Sequence, residues 1–108
     1  MANSVIYLKR GDTLEISGQL LNNGSPLDAT GYAIRSHVRY KGALVKVLSC
    51  SFVDASLGKY QCTASADDTK SWPVFDLETD IEFTEPSPSL KVFSTDTITI
   101  RVIQDQTI

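Results

Sequence analysis

Apolar side chains recur at every second position along almost the whole chain, a period that suits strands and not helices. In the run from residue 13 to 20, Leu14, Ile16 and Leu20 share one face, and Thr13, Glu15, Ser17 and Gln19 share the other. Gly18 falls on the apolar face, which points to a bulge or to close approach by a neighbouring chain segment. A short first strand carries Ile6 and Leu8, alternating with Tyr7 and Lys9. Tyr32, Ile34, Val38 and Tyr40 alternate with Ala33, Arg35, His37 and Arg39. After a turn at Lys41-Gly42, one further strand is expected to place Leu44, Leu48, Cys50 and Phe52 on a single face.

Turn chemistry separates these runs. Gly11-Asp12, the loop Asn22-Asn23-Gly24-Ser25-Pro26, and Glu85-Pro86-Ser87-Pro88 are strong breakers. Asp54 to Gly58 reads as a hairpin loop, and Gly58 can supply a positive φ. With residue 56 at its centre, Phe52 faces Tyr60 and Cys50 faces Cys62, all on one side. Residues 65 to 72 do not alternate. A helical turn over Ala66-Asp67-Asp68-Thr69-Lys70 is predicted there, ended by Pro73.

Asp76 to Thr84 is the next strand, with Leu77, Ile81 and Phe83 inward and Asp76, Glu78, Asp80 and Glu82 outward. Leu90 to Phe93 is short, Ser94-Thr95-Asp96 interrupts it, and Ile98, Ile100 and Val102 line the last strand. About eight short strands with no amphipathic helix predict an all-β antiparallel sandwich or barrel. The length of 108 residues suits one domain, residues 1–108. The predicted core is Ile6, Leu8, Leu14, Ile16, Leu20, Ile34, Val38, Leu48, Cys50, Phe52, Tyr60, Cys62, Leu77, Ile81, Phe83, Ile98, Ile100 and Val102.

Several function classes lose ground on residue types alone. The formal net charge of −3 argues against binding nucleic acid by charge, and no strand interleaves basic with aromatic residues. No apolar run approaches the ~20 residues of a spanning helix. The segment Met1 to Ile6 has no basic stretch leading an apolar core, so no signal peptide is expected. Thiols are then expected to be reduced, although a cross-strand Cys50–Cys62 disulfide is geometrically open.

One histidine and two cysteines cannot by themselves build a tetrahedral metal site. His37 stands between Arg35 and Arg39, whose charges make it a poor partner for a cationic intermediate. No cofactor, metal or catalytic residue is assigned, and an enzyme is not expected.

The charged rows are the notable surface feature. Four carboxylates spread along a straight strand do not converge on calcium, nor flank a cleft for acid catalysis. Arg35, His37 and Arg39 are complementary to them if the two strands are neighbours in one sheet. The alternative is that these rows meet complementary rows on another subunit. A saccharide-binding reading needs an exposed aromatic platform, for which Trp72, Tyr7 and Phe75 are available, although Trp72 also suits a lid over the core.

The ordered elements "KRGDTLEISGQLLNNGSPLDATGYAIRSHVRYKGALV", "VDASLGKYQCTASADDTKSWP", "FDLETDIEF" and "DTITIRVIQDQT" resemble small tailed-bacteriophage and prophage structural proteins. They are similar to the immunoglobulin-like N-terminal domain of baseplate upper proteins, over roughly residues 5 to 107 of this chain. The resemblance implies an immunoglobulin-like sandwich of about 7–9 strands and a non-enzymatic virion part: a tail or baseplate component, a head–tail joining protein or a capsid decoration. It also implies other phage structural proteins or further copies as partners. The residues themselves lead us to expect no nucleic acid or membrane partner, and the lack of a signal segment fits assembly in the bacterial host cytoplasm. Contacts with other subunits are expected at Arg35, Arg39, Tyr7 and Trp72. A carbohydrate-binding or adhesion module is the alternative.

Overall fold

The computed structural model describes residues 4–95 and 97–104. The break expected at Asp96 therefore lies outside the described residues. The strands in chain order are β1 (Ser4–Lys9), β2 (Leu14–Gln19), β3 (Leu21–Asn22), β4 (Ser25–Pro26), β5 (Ala33–Tyr40), β6 (Ala43–Val47), β7 (Ser49–Asp54), β8 (Lys59–Ala64), β9 (Asp76–Thr84), β10 (Val92–Ser94) and β11 (Ile98–Ile103). A 3-10 turn, Ala55–Leu57, joins β7 to β8, and the predicted helical turn forms as α1 (Ala66–Thr69).

Among the described residues the strands form an all-β sandwich. The larger sheet has the order β1-β11-β9-β5-β6, with β10 also paired to β9. The smaller sheet is β2-β8-β7, and β3 and β4 make a small separate hairpin. Two features correct the strand expectations. The first strand does not pair antiparallel: β1 lies parallel to β11, with Ile6 opposite Ile100 and Leu8 opposite Val102. Alternation fixes which face a strand buries but not the direction of its neighbour.

The run from Leu44 to Phe52 is not one strand. It splits into β6 of the larger sheet and β7 of the smaller one. A register shift between Val38 and Arg39 turns Leu44 to solvent, 53% exposed, whereas Leu48 is buried. Leu48 still donates its N–H to the Ser36 carbonyl at 2.9 Å, and beyond it the chain enters the second sheet.

The core fills the space between the sheets. Leu77, Ile81 and Phe83 of β9, Val38 of β5, and Ile100 and Val102 of β11 meet Leu14 and Ile16 of β2 and Cys62 and Ala64 of β8. Every residue of the predicted core is buried there or packed against it. Complete burial of one such aliphatic or aromatic side chain contributes about 1.5–3 kcal/mol. The hairpin register is also as expected: Phe52 faces Tyr60 and Cys50 faces Cys62.

Gly18 is explained by its partner across the ladder, Tyr60. A Cβ on Gly18 would overlap the hydroxyl end of the Tyr60 ring, which in turn packs edge-on against Phe83 at 5.1 Å between centroids. The glycine therefore opens room for an aromatic ring on the inner face.

Polar groups inside the sandwich are satisfied in pairs. Ser36 and Thr79 are buried, and their hydroxyls lie 2.6 Å apart. Thr79 also donates to the His37 carbonyl at 2.9 Å. Thr69 of α1 is fully buried; its hydroxyl donates to the Asp12 carbonyl at 2.6 Å and accepts from the Gly11 N–H at 3.1 Å. Ser65 caps α1 by accepting from the Asp68 N–H at 3.2 Å. These bonds fasten the helical turn to the β1–β2 turn and bring Trp72 over the core.

Candidate contact face

The outer face of the larger sheet collects most of the side chains singled out in the sequence. Strands β5 and β9 are antiparallel neighbours, with Arg35 opposite Glu82, His37 opposite Asp80 and Arg39 opposite Glu78. The basic and acidic rows are thus three rungs of one ladder. Direct partners in a sheet project to the same side, so all six side chains stand on the outer face.

The rungs are used unequally. Arg35 Nε donates to Glu82 Oε1 at 2.6 Å. Arg39 turns instead along its own strand, placing Nη2 3.3 Å from His37 Nδ1. Glu78 and Asp80 have no side-chain partner among the described residues. A trough of about 200 Å³ runs over this part of the ladder, lined by His37, Arg39, Gly42, Glu78, Thr79, Asp80 and Thr97.

A second charged group lies towards the β1 edge. Arg101 of β11 stands opposite both Tyr7 of β1 and Asp76 of β9. Its guanidinium holds the Asp76 carboxylate in a two-point grip at 2.9 and 3.0 Å, donates to the Tyr7 hydroxyl at 3.3 Å, and sits 5.5 Å from that ring's centroid. The hydrogen bonds from Arg101 hold the Asp76 carboxyl below its ordinary value of 3.8, and Asp76 in turn pushes the guanidinium up.

A carboxyl with a depressed folded-state pKa stabilises the fold fully above its unfolded value, and that contribution is lost as pH falls through the folded one. The window here lies below pH 3.8. Replacing Arg101 with glutamine is expected to raise the Asp76 titration midpoint towards 3.8, followed by carboxyl NMR shifts. An unmoved midpoint would show that Arg101 does not set it.

The expected contact residues divide. Arg35, Arg39 and Tyr7 share this outer face, and Tyr7 is 66% exposed. Trp72 is corrected: at 3% exposed it belongs to the core and offers no surface to a partner. The turn from α1 to Pro73 directs its indole inward, where covering the end of the core removes a large apolar surface from water. The proposed platform of Trp72, Tyr7 and Phe75 does not form.

Sequence reasoning named Phe75 but missed its aromatic partner, Tyr40. Phe75, 58% exposed, stacks on Tyr40 with centroids 5.4 Å apart, and the Lys41 ammonium lies 5.4 Å from the Tyr40 centroid. The pair borders an open groove that also includes Asp76, Glu78 and Thr99. Arg101 was missed as well, although it is the one charged residue in the otherwise uncharged strand β11.

Cys50 and Cys62 are free thiols facing each other across β7 and β8. Their mutual hydrogen bond and burial push the Cys62 thiol up, while the bond from Cys62 lowers that of Cys50. Among the described residues, no three His, Cys, Asp or Glu side chains are grouped to hold a metal ion. No helix among them is long and apolar enough to cross a membrane.

No family model matches the chain, and no curated protein matches it. Among solved structures, it is similar to the N-terminal domain of phage TP901-1 ORF48. That likeness has a TM-score of 0.64 and 22% identity, and covers 95% of this chain and 90% of the other. At this identity the likeness shows a shared fold. The neighbour comes from a phage, the kind of source that the resemblance of the sequence implies.

Proposed function

We propose that this chain is a structural part of a tailed-bacteriophage or prophage virion, one sandwich domain acting through protein–protein contacts and not by catalysis. The observation that carries the reading is the solved phage domain sharing the fold over 95% of this chain and 90% of its own. The sequence resemblance to baseplate upper proteins supports a tail or baseplate position, with head–tail joining or capsid decoration as the other sites. The partners are other phage structural proteins or further copies of this chain, met at the outer face that carries Arg35, Arg39 and Tyr7. The chain assembles with them in the bacterial host cytoplasm.

Particles released from the bacterium that encodes the chain, banded on a density gradient and probed with an antibody to it, test this reading. The expected result is co-migration with particles at a fixed ratio to the major virion protein, retained through a second gradient. Protein found wholly outside the particle band would overturn the proposal. If that free protein were held on an immobilised polysaccharide and released by Phe75→Ala, the saccharide-binding reading would replace it. The exposed Tyr40–Phe75 stack beside Asp76 and Glu78 is the observation that favours this second reading.

A further inference from the structure

We infer that two copies of this chain pair face to face through the β5–β9 ladder, about a two-fold axis lying between those strands and parallel to them. The inference deepens the reading above by naming a partner for the outer face, and it rests on the register of the ladder. Each rung has its basic or histidine side chain on β5 and its carboxylate on β9, at the same height along the strands. Rotation about that axis lays β5 of one copy over β9 of the other without sliding along the strands. Arg39 of each copy then stands over Glu78 of its partner, His37 over Asp80, and Arg35 over Glu82.

The other in-plane axis, running across the strands, would lay β5 over β5 and β9 over β9. It would set Arg35 over Arg39 and Glu78 over Glu82. Like charges brought together in this way disfavour an arrangement as firmly as opposite charges favour the correct one. The charge pattern therefore selects one isologous geometry.

Three further observations agree. First, the ladder leaves opposite charges uncommitted within one chain: among the described residues Glu78 and Asp80 have no side-chain partner, and the side chain of Arg39 hydrogen-bonds to His37 and to no carboxylate. Second, sheets packed face to face lie about 10 Å apart, a gap that an arginine and a glutamate bridge end to end.

Third, the strand order β11-β9-β5-β6 is centred on the same axis, so β6 of one copy covers β11 of the other. Leu44 and Val47 of β6, 53% and 49% exposed, are then covered rather than left in water. Following the register through Arg39 and Glu78 sets Leu44 level with the partner's Thr99. Strand β1, with Tyr7, lies outside this footprint and stays open to other virion proteins.

The test is the solution mass of the full chain by light scattering, over a concentration and salt series. The expected result is twice the 11.8 kDa chain mass at low salt, dissociating as salt rises. Arg39→Glu and Glu78→Arg are each expected to weaken pairing about tenfold or more, because each sets like charges over one another. Mixing the two variants is expected to restore the dimer as a heterodimer, since Glu at 39 of one copy then faces Arg at 78 of the other, and Glu78 faces Arg39.

That rescue also shows that both variants fold. A wild-type mass fixed at 11.8 kDa in low salt at the highest concentration would overturn the pairing, as would variants that dimerise like the wild type. A mixture that stays monomeric would overturn it too. None of these results bears on co-migration with particles, so failure of the dimer and failure of the virion reading are separable.

Discussion

Phe83→Ala is expected to lower the unfolding free energy by about 3–5 kcal/mol, the usual cost of removing a fully buried aromatic ring. Phe83 has no exposed surface and occupies the middle of the sandwich. Its ring stacks on Phe93 of β10 at 5.4 Å and meets Tyr60 of β8 edge-on at 5.1 Å. It also packs at a tilt on Phe52 of β7, at 6.1 Å. One side chain thus joins the larger sheet to two strands of the smaller one.

The three neighbours are held by separate strands, so they cannot close the cavity without moving backbone. A domain of this size has roughly 5–15 kcal/mol of stability in total. At about 4 °C or more per kcal/mol, the midpoint should fall by roughly 12–20 °C in a thermal melt. Phe75→Ala is the control. Phe75 is 58% exposed and stacks on Tyr40 at the margin of the core, and its removal should cost roughly 1 kcal/mol or less. Equal losses from the two variants would mean that the ring cluster is not the centre of the fold.

Where the sequence was legible, two independent signals agreed. Alternation assigned a face and a turn assigned a register, as in the hairpin that sets Cys50 against Cys62. Complementary rows assigned neighbours: Arg35, His37 and Arg39 do lie beside Glu82, Asp80 and Glu78. Where only one signal was present, the reading failed. The split at Leu48 leaves the apolar spacing from Leu44 to Phe52 intact, since one chain can serve two sheets with the same period. The parallel pairing of β1 on β11 likewise leaves no mark on alternation.

Inward polar residues were missed for a different reason. Ser36 interrupts the row of Ile34 and Val38, and Thr79 interrupts that of Leu77 and Ile81. Each looks like a flaw alone. Together they satisfy one another at 2.6 Å, and only the pairing of β5 with β9 reveals it.

The charged outer face was half legible for the same reason. Arg35 and Arg39 were visible because a row of charges on one strand has no role in a core. The grip of Arg101 on Asp76 and Tyr7 joins three strands, two of them 94 residues apart in sequence, and no local pattern reports that. Trp72 carried two readings, lid and platform, and the residues beside it do not separate them. What decides is the clamp from Thr69 to Gly11 and Asp12, which pins the turn that aims the indole inward.

Gly58→Ala is the second large loss expected, and its size tests whether the β7–β8 turn is the anchor of the neighbouring loop. Gly58 has φ +70, a left-handed conformation that costs a residue with a side chain about 1–2 kcal/mol. A Cβ there would also stand 2.7 Å from the Leu27 carbonyl oxygen and 2.9 Å from that of Leu20. Both obstacles are backbone, and both are held. Leu27 donates its N–H to the Leu20 carbonyl at 3.0 Å, Leu20 donates to the Gly58 carbonyl at 2.9 Å, and Ala29 donates to the Ala55 carbonyl at 2.8 Å.

Relief therefore requires the whole loop from 20 to 29 to lift from the turn, breaking those bonds and exposing the fully buried Ala29. Overpacking of this kind adds about 1–3 kcal/mol to the conformational cost. The expected total is roughly 2–5 kcal/mol in chemical denaturation. Gly42 isolates the two contributions. Its φ is +82, yet a Cβ there meets nothing within 4 Å. Gly42→Ala should lose only the conformational part, about 1–2 kcal/mol. If the two glycines lost the same amount, the Leu20 and Leu27 carbonyls would not be the barrier, and the loop would be free of the turn it is bonded to.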